Sequence, residues 1–313
     1  MPKRGLLKRG LVIKSTGSRY KVLDEAGIIH ECVIKGKFRI RDIKTINQVV
    51  AGDYVLFEAS VEKIGVIREI EDRKNYIIRK SPNLSRQAQI IAANIDHALL
   101  MVTIREPETQ VEFIDRFLVS AEAYRIPVKI LFNKTDIYSE RDLKKMASLK
   151  AVYQKIGYSC FSISVEKKKN IDSIKALLKD KVTLVSGNSG VGKSSLLNII
   201  EPSLKIGTEK ISDYHKQGTH TTTFTEMHPL SFGGFIIDTP GIRGFGLTGM
   251  IREEIYHFFP EIFRISDKCR YYNCLHINEP GCAVLESFEK GEIEWFRYRS
   301  YLNIMEDNNS KYR

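Results

Sequence analysis

Apolar and polar residues alternate in short runs over the first seventy positions. "GLVIKSTGSRYKVL" holds two β-rich runs broken at Thr16-Gly17-Ser18, and "HECVIKG", "DYVLFEA" and "IGVIREI" follow. Runs of this period separated by turn residues predict strands. Five or so within residues 1–72 suit a small barrel of the OB type, with an SH3-like barrel as the alternative. "EDRKNYIIRKSP" (Glu71 to Pro82) reads as a linker.

The period then changes. "HALLMVTI" (His97 to Ile104) is a continuous apolar run and predicts a buried strand, and "VEFIDRFLVSAEAY" (Val111 to Tyr124) has helical spacing. "VKILFNKTD" predicts a second strand, "DLKKMASLKAVYQKIG" a helix ending at Gly157, "YSCFSISV" a third strand and "IDSIKALLKD" another helix. "KVTLVSGNSGVGKSSLLNII" reads as strand, loop and helix. Strands alternating with helices predict a parallel, doubly wound α/β sheet over residues 73–247. From about Ile251 the chain turns helical and aromatic around three cysteines, which marks residues 248–313 as a third, mainly helical domain.

Chemistry sits at the predicted strand ends. "GNSGVGKSS" fits G-x-x-x-x-G-K-[ST], with Gly187, Gly192, Lys193 and Ser194 in the fixed positions, between a strand and a helix. In that context the backbone N–H groups of Gly187, Asn188, Ser189, Gly190, Val191, Gly192 and Ser195 can close around phosphates, helped by the helix dipole. Lys193 is expected to reach the β- and γ-phosphates and the Ser194 hydroxyl to ligate Mg²⁺. In "NKTD", Asn133 to Asp136, the Asp136 carboxylate can accept both hydrogens of the guanine N–H/NH₂ edge, where adenine would set a lone pair against it. Asn133 can bond the other side of the base, Lys134 can lay its stem over the ring, and Thr135 completes the motif. Ser164, in "SISV", falls where a small side chain could support the base. In "IIDTPG" (Ile236 to Gly241), Asp238 would hold a Mg²⁺-bound water and the Gly241 N–H would touch the γ-phosphate. "HTTTF" lies between these motifs, where a switch loop supplies a threonine to Mg²⁺; Thr222 is the expected ligand, with Thr221 and Thr223 open. A glutamine often follows D-x-x-G to orient the attacking water. Here Ile242 stands there, so His220 becomes the candidate catalytic residue, with RNA contact or loop capping as its alternative roles.

The base-reading motif precedes the phosphate loop, the reverse of the usual order. Strand ends converge on one rim of a doubly wound sheet, so such a site needs adjacency in space and not chain order. Termini of compact domains often lie close together, and a circularly permuted domain satisfies the same geometry. The order leaves 27 residues between Gly241 and Cys269, so a moving γ-phosphate sensor can pull on the next module.

Among five cysteines, Cys32 and Cys160 stand alone in strand-like runs and read as buried apolar residues. Cys269, Cys274, His276 and Cys282 cluster, with four, one and five residues between successive members. Three thiolates and an imidazole form a closed tetrahedral set of the structural zinc type, which leaves no open position for catalysis.

The chain has 313 residues, 42% hydrophobic and 28% charged, an ordinary globular composition. Its longest apolar runs are too short to span a bilayer, and the basic N-terminus lacks the apolar core of a signal peptide, so a cytoplasmic protein is expected, without membrane contact and monomeric. The net charge is +11, and residues 1–45 hold twelve Lys or Arg against four Asp or Glu. That excess predicts attraction of a polyanion by steering and counterion release.

The permuted order together with "NKTD", "GNSGVGKSSLLN", "GTHTTT", "DTPGIRGFGL" and "CLHINEPGCAV" resembles the RsgA (YjeQ) family of ribosome small-subunit-dependent GTPases. The likeness covers nearly the whole chain; Thr219 departs from it, where many members carry a basic residue. It implies an OB-fold domain, a permuted GTPase domain and a zinc-binding C-terminal domain. It also implies a GTPase that binds the small (30S) ribosomal subunit and its rRNA late in maturation, with hydrolysis of GTP to GDP stimulated by the subunit. The other readings are a permuted GTPase of large-subunit assembly and an RNA-binding protein whose nucleotide site is only a switch.

Overall fold

The computed structural model describes residues 7–34, 49–59, 64–80, 88–206, 226–238 and 250–310. His220, Thr221, Thr222, Thr223 and Gly241 lie outside the described residues, and Asp238 is described by its backbone alone.

Five strands open the chain: β1 (Leu7–Ser15), β2 (Tyr20–Asp24), β3 (Ile29–Ile34), β4 (Tyr54–Glu58) and β5 (Gly65–Ile70). β1 pairs antiparallel with both β2 and β4, β2 pairs with β3, β3 runs parallel to β5, and β5 returns antiparallel to β4. This closed circuit of five strands is the OB arrangement, and it decides between the two barrels that strand periodicity left open. Alternate residues turn inward, so Val12, Tyr20, Val22, Cys32, Val55, Phe57 and Ile67 fill the barrel. Asp53 is fully buried where β4 begins, and Arg73 clamps it through two bonds of 2.6 and 2.7 Å.

The segment read as a linker contains a strand. β6 (Tyr76–Lys80) pairs antiparallel with β7 (Ala88–Ala93). Ile90 and Ala93 pack with Val50, Tyr76 and Ile78 to give this hairpin an apolar side, and the Asn75 amide bonds both the N–H and the C=O of Ile95. The charged residues of "EDRKN" stand directly before this strand, whose pairing partner β7 begins only at Ala88.

The α/β part then follows as β8 (His97–Val102), α1 (Val111–Ala123), β9 (Val128–Phe132), α2 (Glu140–Ile156), β10 (Ser159–Ser162), α3 (Ile171–Leu178), β11 (Val182–Gly187), α4 (Lys193–Ile200), β12 (Glu226–Pro229) and β13 (Phe235–Asp238). The chain divides into two compact units. One comprises Met1–Ala98, Asp172–Val185 and Ser194–Ile242; the other comprises Leu99–Ile171, Ser186–Lys193 and Arg243–Arg313. In the first, β11 is parallel to β13, while β12 is antiparallel to β13 and continues into the barrel by pairing with β1 at Lys14 and Glu226, whose side chains also bond at 2.6 Å. The sheet is therefore not wholly parallel as the alternation of elements predicted.

In the second unit, β10 and β9 are parallel. α2 starts at a Ser139/Asp142 capping box and ends at Gly157, whose φ of 127° suits glycine. The C-terminal helices α5 (Pro260–Ser266), α6 (Ala283–Glu289) and α7 (Trp295–Ser310) enclose Ile255, Phe259, Ile262, Val284, Tyr301 and Ile304, and this core takes in Val119 of α1. A charged group crosses the same interface. Arg297 has no exposed side-chain surface and bonds Asp115 on α1 and Glu261 on α5, each at 2.6 Å. Tyr153 of α2 donates to Asp115 at 2.8 Å. No helix among the described residues is long and apolar enough to cross a membrane.

Candidate guanine nucleotide site and metal centre

Two loops of the second unit meet through one asparagine. Asn133 follows β9 and is 1% exposed. Its amide nitrogen donates to the Val191 carbonyl in the phosphate loop (2.8 Å), and its amide oxygen accepts from the Val165 N–H (3.1 Å). The structure thus places Asn133 between the base-reading, phosphate and "SISV" loops, with its amide spanning them. Lys134 adopts a left-handed conformation, φ 64°, and its ammonium donates to the Glu106 carbonyl. Thr135 donates its hydroxyl to the Ile163 carbonyl at 3.0 Å. Asp136 is exposed, with one carboxylate oxygen held by the buried Ser164 hydroxyl at 2.5 Å. That bond leaves the second oxygen for a donor edge and fixes the plane of the carboxylate.

The phosphate loop needs its glycines. Gly187 has φ 145° and Gly192 φ 99°; a Cβ on the first would meet the Met101 carbonyl oxygen at 2.3 Å, and on the second the Asn133 amide nitrogen at 2.6 Å. Asn188, Ser189 and Gly190 follow on the accessible side, whereas Val191 is buried. Lys193 arches back and donates to the Gly187 and Asn188 carbonyls, each at 2.7 Å. Ser194 and Ser195 open α4, with Ser194 buried and Ser195 half-buried. In the first unit, Asp238 ends β13 parallel to β11.

Tyr138, two residues past Asp136, was not legible as a site residue. Its hydroxyl donates to the Asn133 carbonyl (2.5 Å) and accepts the Ile104 N–H (2.8 Å). Burial pushes its pKa up to about 12, so it stays neutral. The only hint in the sequence is an aromatic residue two positions past the N-K-x-D motif.

The cysteine cluster is assembled in the same unit. The ligand atoms of Cys269, Cys274, His276 and Cys282 lie within 4.8 Å of one another. A tetrahedral zinc with Zn–S near 2.3 Å and Zn–N near 2.0–2.1 Å requires S···S of about 3.8 Å and N···S of about 3.5 Å. The Cys269–Cys282 sulfurs are 3.9 Å apart, and both are 3.5 Å from His276 Nδ1. The donor set and its spacing fit a metal ion. Burial pushes the Cys274 thiol up to about 12 and lowers the imidazole of His276. Neutral imidazole is the ligating form, while buried thiolates need a cation to exist. Burial raises the Cys282 pKa as well, while the Leu285 N–H that it accepts as the cap of α6 partly offsets this.

The loop around these ligands is held from outside. Glu279 accepts the backbone N–H groups of Leu275, Ile277 and Asn278, while Tyr298 and Tyr301 donate to the His276 and Leu275 carbonyls. Burial works against the Glu279 charge, but the backbone donors outweigh it and hold its pKa below the usual range. An acidic residue inside "CLHINEPGC" is the one local sign of this support. The lone thiols behave as apolar residues: burial raises both Cys32 and Cys160 to about 11.

Of the basic residues in the barrel segment, Lys8, Arg9, Lys14 and Arg19 pair with Asp24, Glu71, Glu226 and Glu31. Arg68 pairs with Glu58, and the other Lys and Arg of that segment, apart from Lys21, lie outside the described residues.

A five-stranded OB barrel, a permuted α/β domain carrying a phosphate loop, and a Cys₃His cluster that could hold a metal ion define a circularly permuted GTPase. Residues 70–248 match the RsgA GTPase family and residues 9–67 the RsgA N-terminal domain. The chain belongs to the RsgA GTPase family and is a GTP hydrolase. It is 54% identical to the small ribosomal subunit biogenesis GTPase RsgA 2 of Bacteroides thetaiotaomicron, over 97% of this chain and 99% of that protein. Two solved structures share the fold. YloQ, a circularly permuted GTPase, is 30% identical with a TM-score of 0.77 and covers 99% of this chain and 98% of its own. YjeQ from Thermotoga maritima is 34% identical with a TM-score of 0.79, covering 96% and 98%.

Proposed function

We propose that the protein binds the small ribosomal subunit through its rRNA late in assembly, and that the subunit stimulates GTP hydrolysis. The observation that carries this reading is the 54% identity to a small ribosomal subunit biogenesis GTPase over nearly the full length of both chains. Large-subunit assembly and a switch without turnover have no comparable support.

The domains proposed are the OB-fold RNA-binding barrel, residues 1–72, the GTPase domain, residues 73–247, and the zinc domain, residues 248–313. Asp136 reads the guanine edge with Ser164 behind it, Lys134 covers the base face, and Thr135 fixes the turn. Asn133 holds the base loop to the phosphate loop. The backbone from Gly187 to Ser195 cradles the phosphates, and Lys193 exchanges its two carbonyl partners for phosphate oxygens. Ser194 and Thr222 would hold Mg²⁺, which neutralises phosphate charge when bound; Asp238 and Gly241 would sense the γ-phosphate. His220 orients the attacking water, the role Ile242 cannot fill. Cys269, Cys274, His276 and Cys282 hold one structural Zn²⁺. The protein works as a cytoplasmic monomer.

The test is GTP turnover with and without purified small or large subunits, joined to co-sedimentation with GDP or a non-hydrolysable GTP analogue. Stimulation and co-sedimentation by small subunits are expected. No response to small subunits, or a response only to large ones, would overturn the reading.

A further inference from the structure

The chain between β8 and α1 closes into a small lobe. Thr103 and Thr109 lock its base: the Thr109 N–H donates to the Thr103 carbonyl (2.9 Å), and the Thr103 N–H donates to the Thr109 hydroxyl (3.0 Å). The Thr103 hydroxyl donates to the Pro107 carbonyl at 2.5 Å. Both threonines are buried, although their neighbours from Arg105 to Glu108 are exposed. A loop of seven residues with two buried hydroxyls turned onto its own backbone is built to keep one shape.

The tip of this lobe touches both nucleotide loops. A Cβ placed on Gly190 of the phosphate loop would lie 3.3 Å from the Pro107 ring, so the ring lies beside Gly190 and leaves little room for a side chain there. The Glu106 carbonyl takes the ammonium of Lys134, the residue proposed above to cover the base face. At the other end, Tyr138 joins the Ile104 N–H to the carbonyl of Asn133, and Asn133 in turn holds Val191. Nothing in the N-K-x-D or phosphate-loop motifs calls for a third segment, yet this one meets both.

We propose that the Thr103–Thr109 lobe, tied in by Tyr138, is a third positioning wall of the guanine nucleotide site, setting the Lys134 stem and the phosphate loop at the separation a bound nucleotide requires. The proposal rests on the guanine nucleotide reading of that site. Lys134 would otherwise spend its charge in water and sample many rotamers; the Glu106 carbonyl pre-orders it, and ordering before binding raises affinity. Because Tyr138 and Thr109 contact loops and not the reacting phosphate, their effect falls on GDP and GTP alike. That is the signature of uniform binding, which changes KM and leaves kcat alone.

The experiment uses the full chain with Tyr138→Phe, Thr109→Val and Thr109→Ser. Dissociation constants for GDP and for a non-hydrolysable GTP analogue are measured by calorimetry, with steady-state turnover and a thermal melt on the same preparations. Tyr138→Phe and Thr109→Val are expected to weaken both nucleotides by about 5-fold or more, the scale of one or two lost hydrogen bonds. Turnover at saturating GTP should be unchanged, and Thr109→Ser, which keeps the hydroxyl, should restore affinity. Should Tyr138→Phe not fold, the two Thr109 variants carry the same comparison. Folded variants that bind as wild type does, or that lose kcat with KM constant, overturn the proposal while leaving the guanine site standing. A wild-type chain that binds neither nucleotide removes the site reading and the wall together.

Discussion

Replacing Arg297 with methionine takes the cation out of a buried group while keeping an unbranched side chain in its place. Arg297 and Asp115 have no exposed side-chain surface, and Glu261 has only 12%. Burial alone would lower the Arg297 pKa, but Asp115 and Glu261 outweigh it and raise it well above the usual value. In the variant, Asp115 loses its 2.6 Å partner and stays inside the protein with hydroxyl donors such as Tyr153. Removing one partner of a buried pair costs roughly 3–5 kcal/mol, because the other charge is left uncompensated. Tm should then fall by roughly 6–20 °C for a unit of this size.

The pH dependence has a definite sign. Burial raises the Asp115 pKa even with Arg297 present, and without the arginine it rises further. A carboxyl whose folded pKa exceeds its unfolded value binds more protons in the native state, so its destabilisation grows as pH rises through the interval between the two. The deficit of Arg297→Met relative to wild type should be larger at pH 8 than at pH 5. Adding Asp115→Asn should recover most of it at pH 8, since the amide carries no charge and can still accept from Tyr153. Thermal and urea melts of the four members of this cycle at both pH values supply the data. A single variant within about 2 °C of wild type at pH 8 would refute the argument. So would a pH-independent deficit that Asp115→Asn does not relieve.

Cys274→Ser should lower the metal content of the purified protein and its Tm, since roughly 10–16 kcal/mol of binding energy is tied to folding at structural zinc sites; elemental analysis beside a melting curve checks it, and a metal-free wild type with a normal melt would contradict it. Asp136→Asn should weaken GTP binding and its preference over ATP while leaving the melt unchanged, measured by competition between the two nucleotides. His220→Ala should keep nucleotide affinity and lose subunit-stimulated turnover by about 100-fold, a barrier of roughly 3 kcal/mol. Normal turnover at saturating subunit with weaker subunit binding would make His220 an RNA contact instead.

Much of this protein can be read from short stretches because the chemistry there is local. A phosphate loop must have glycines where the backbone takes a positive φ or passes close to another segment, and Gly187 and Gly192 do both. A tetrahedral metal needs four donors at close spacing, and Cys269 to Cys282 supply them within fourteen residues. The strands β8, β9 and β11 and the helices α1 and α2 follow from period and capping alone, down to the Gly157 stop.

What only the tertiary structure decided depends on partners far apart in the chain. The OB circuit rests on β1 pairing with β4 and β3 with β5, and five alternating runs fit either barrel until those partners are known. Asn133 finds Val191 58 residues on, and Arg297 finds Asp115 182 residues away. In "WFRYRSYLN" nothing separates buried Arg297 from exposed Arg299. Periodicity reports which face of an element is apolar. It carries no record of which element that face meets, so an arginine enclosed by two carboxylates from other helices has the same local signature as one in water.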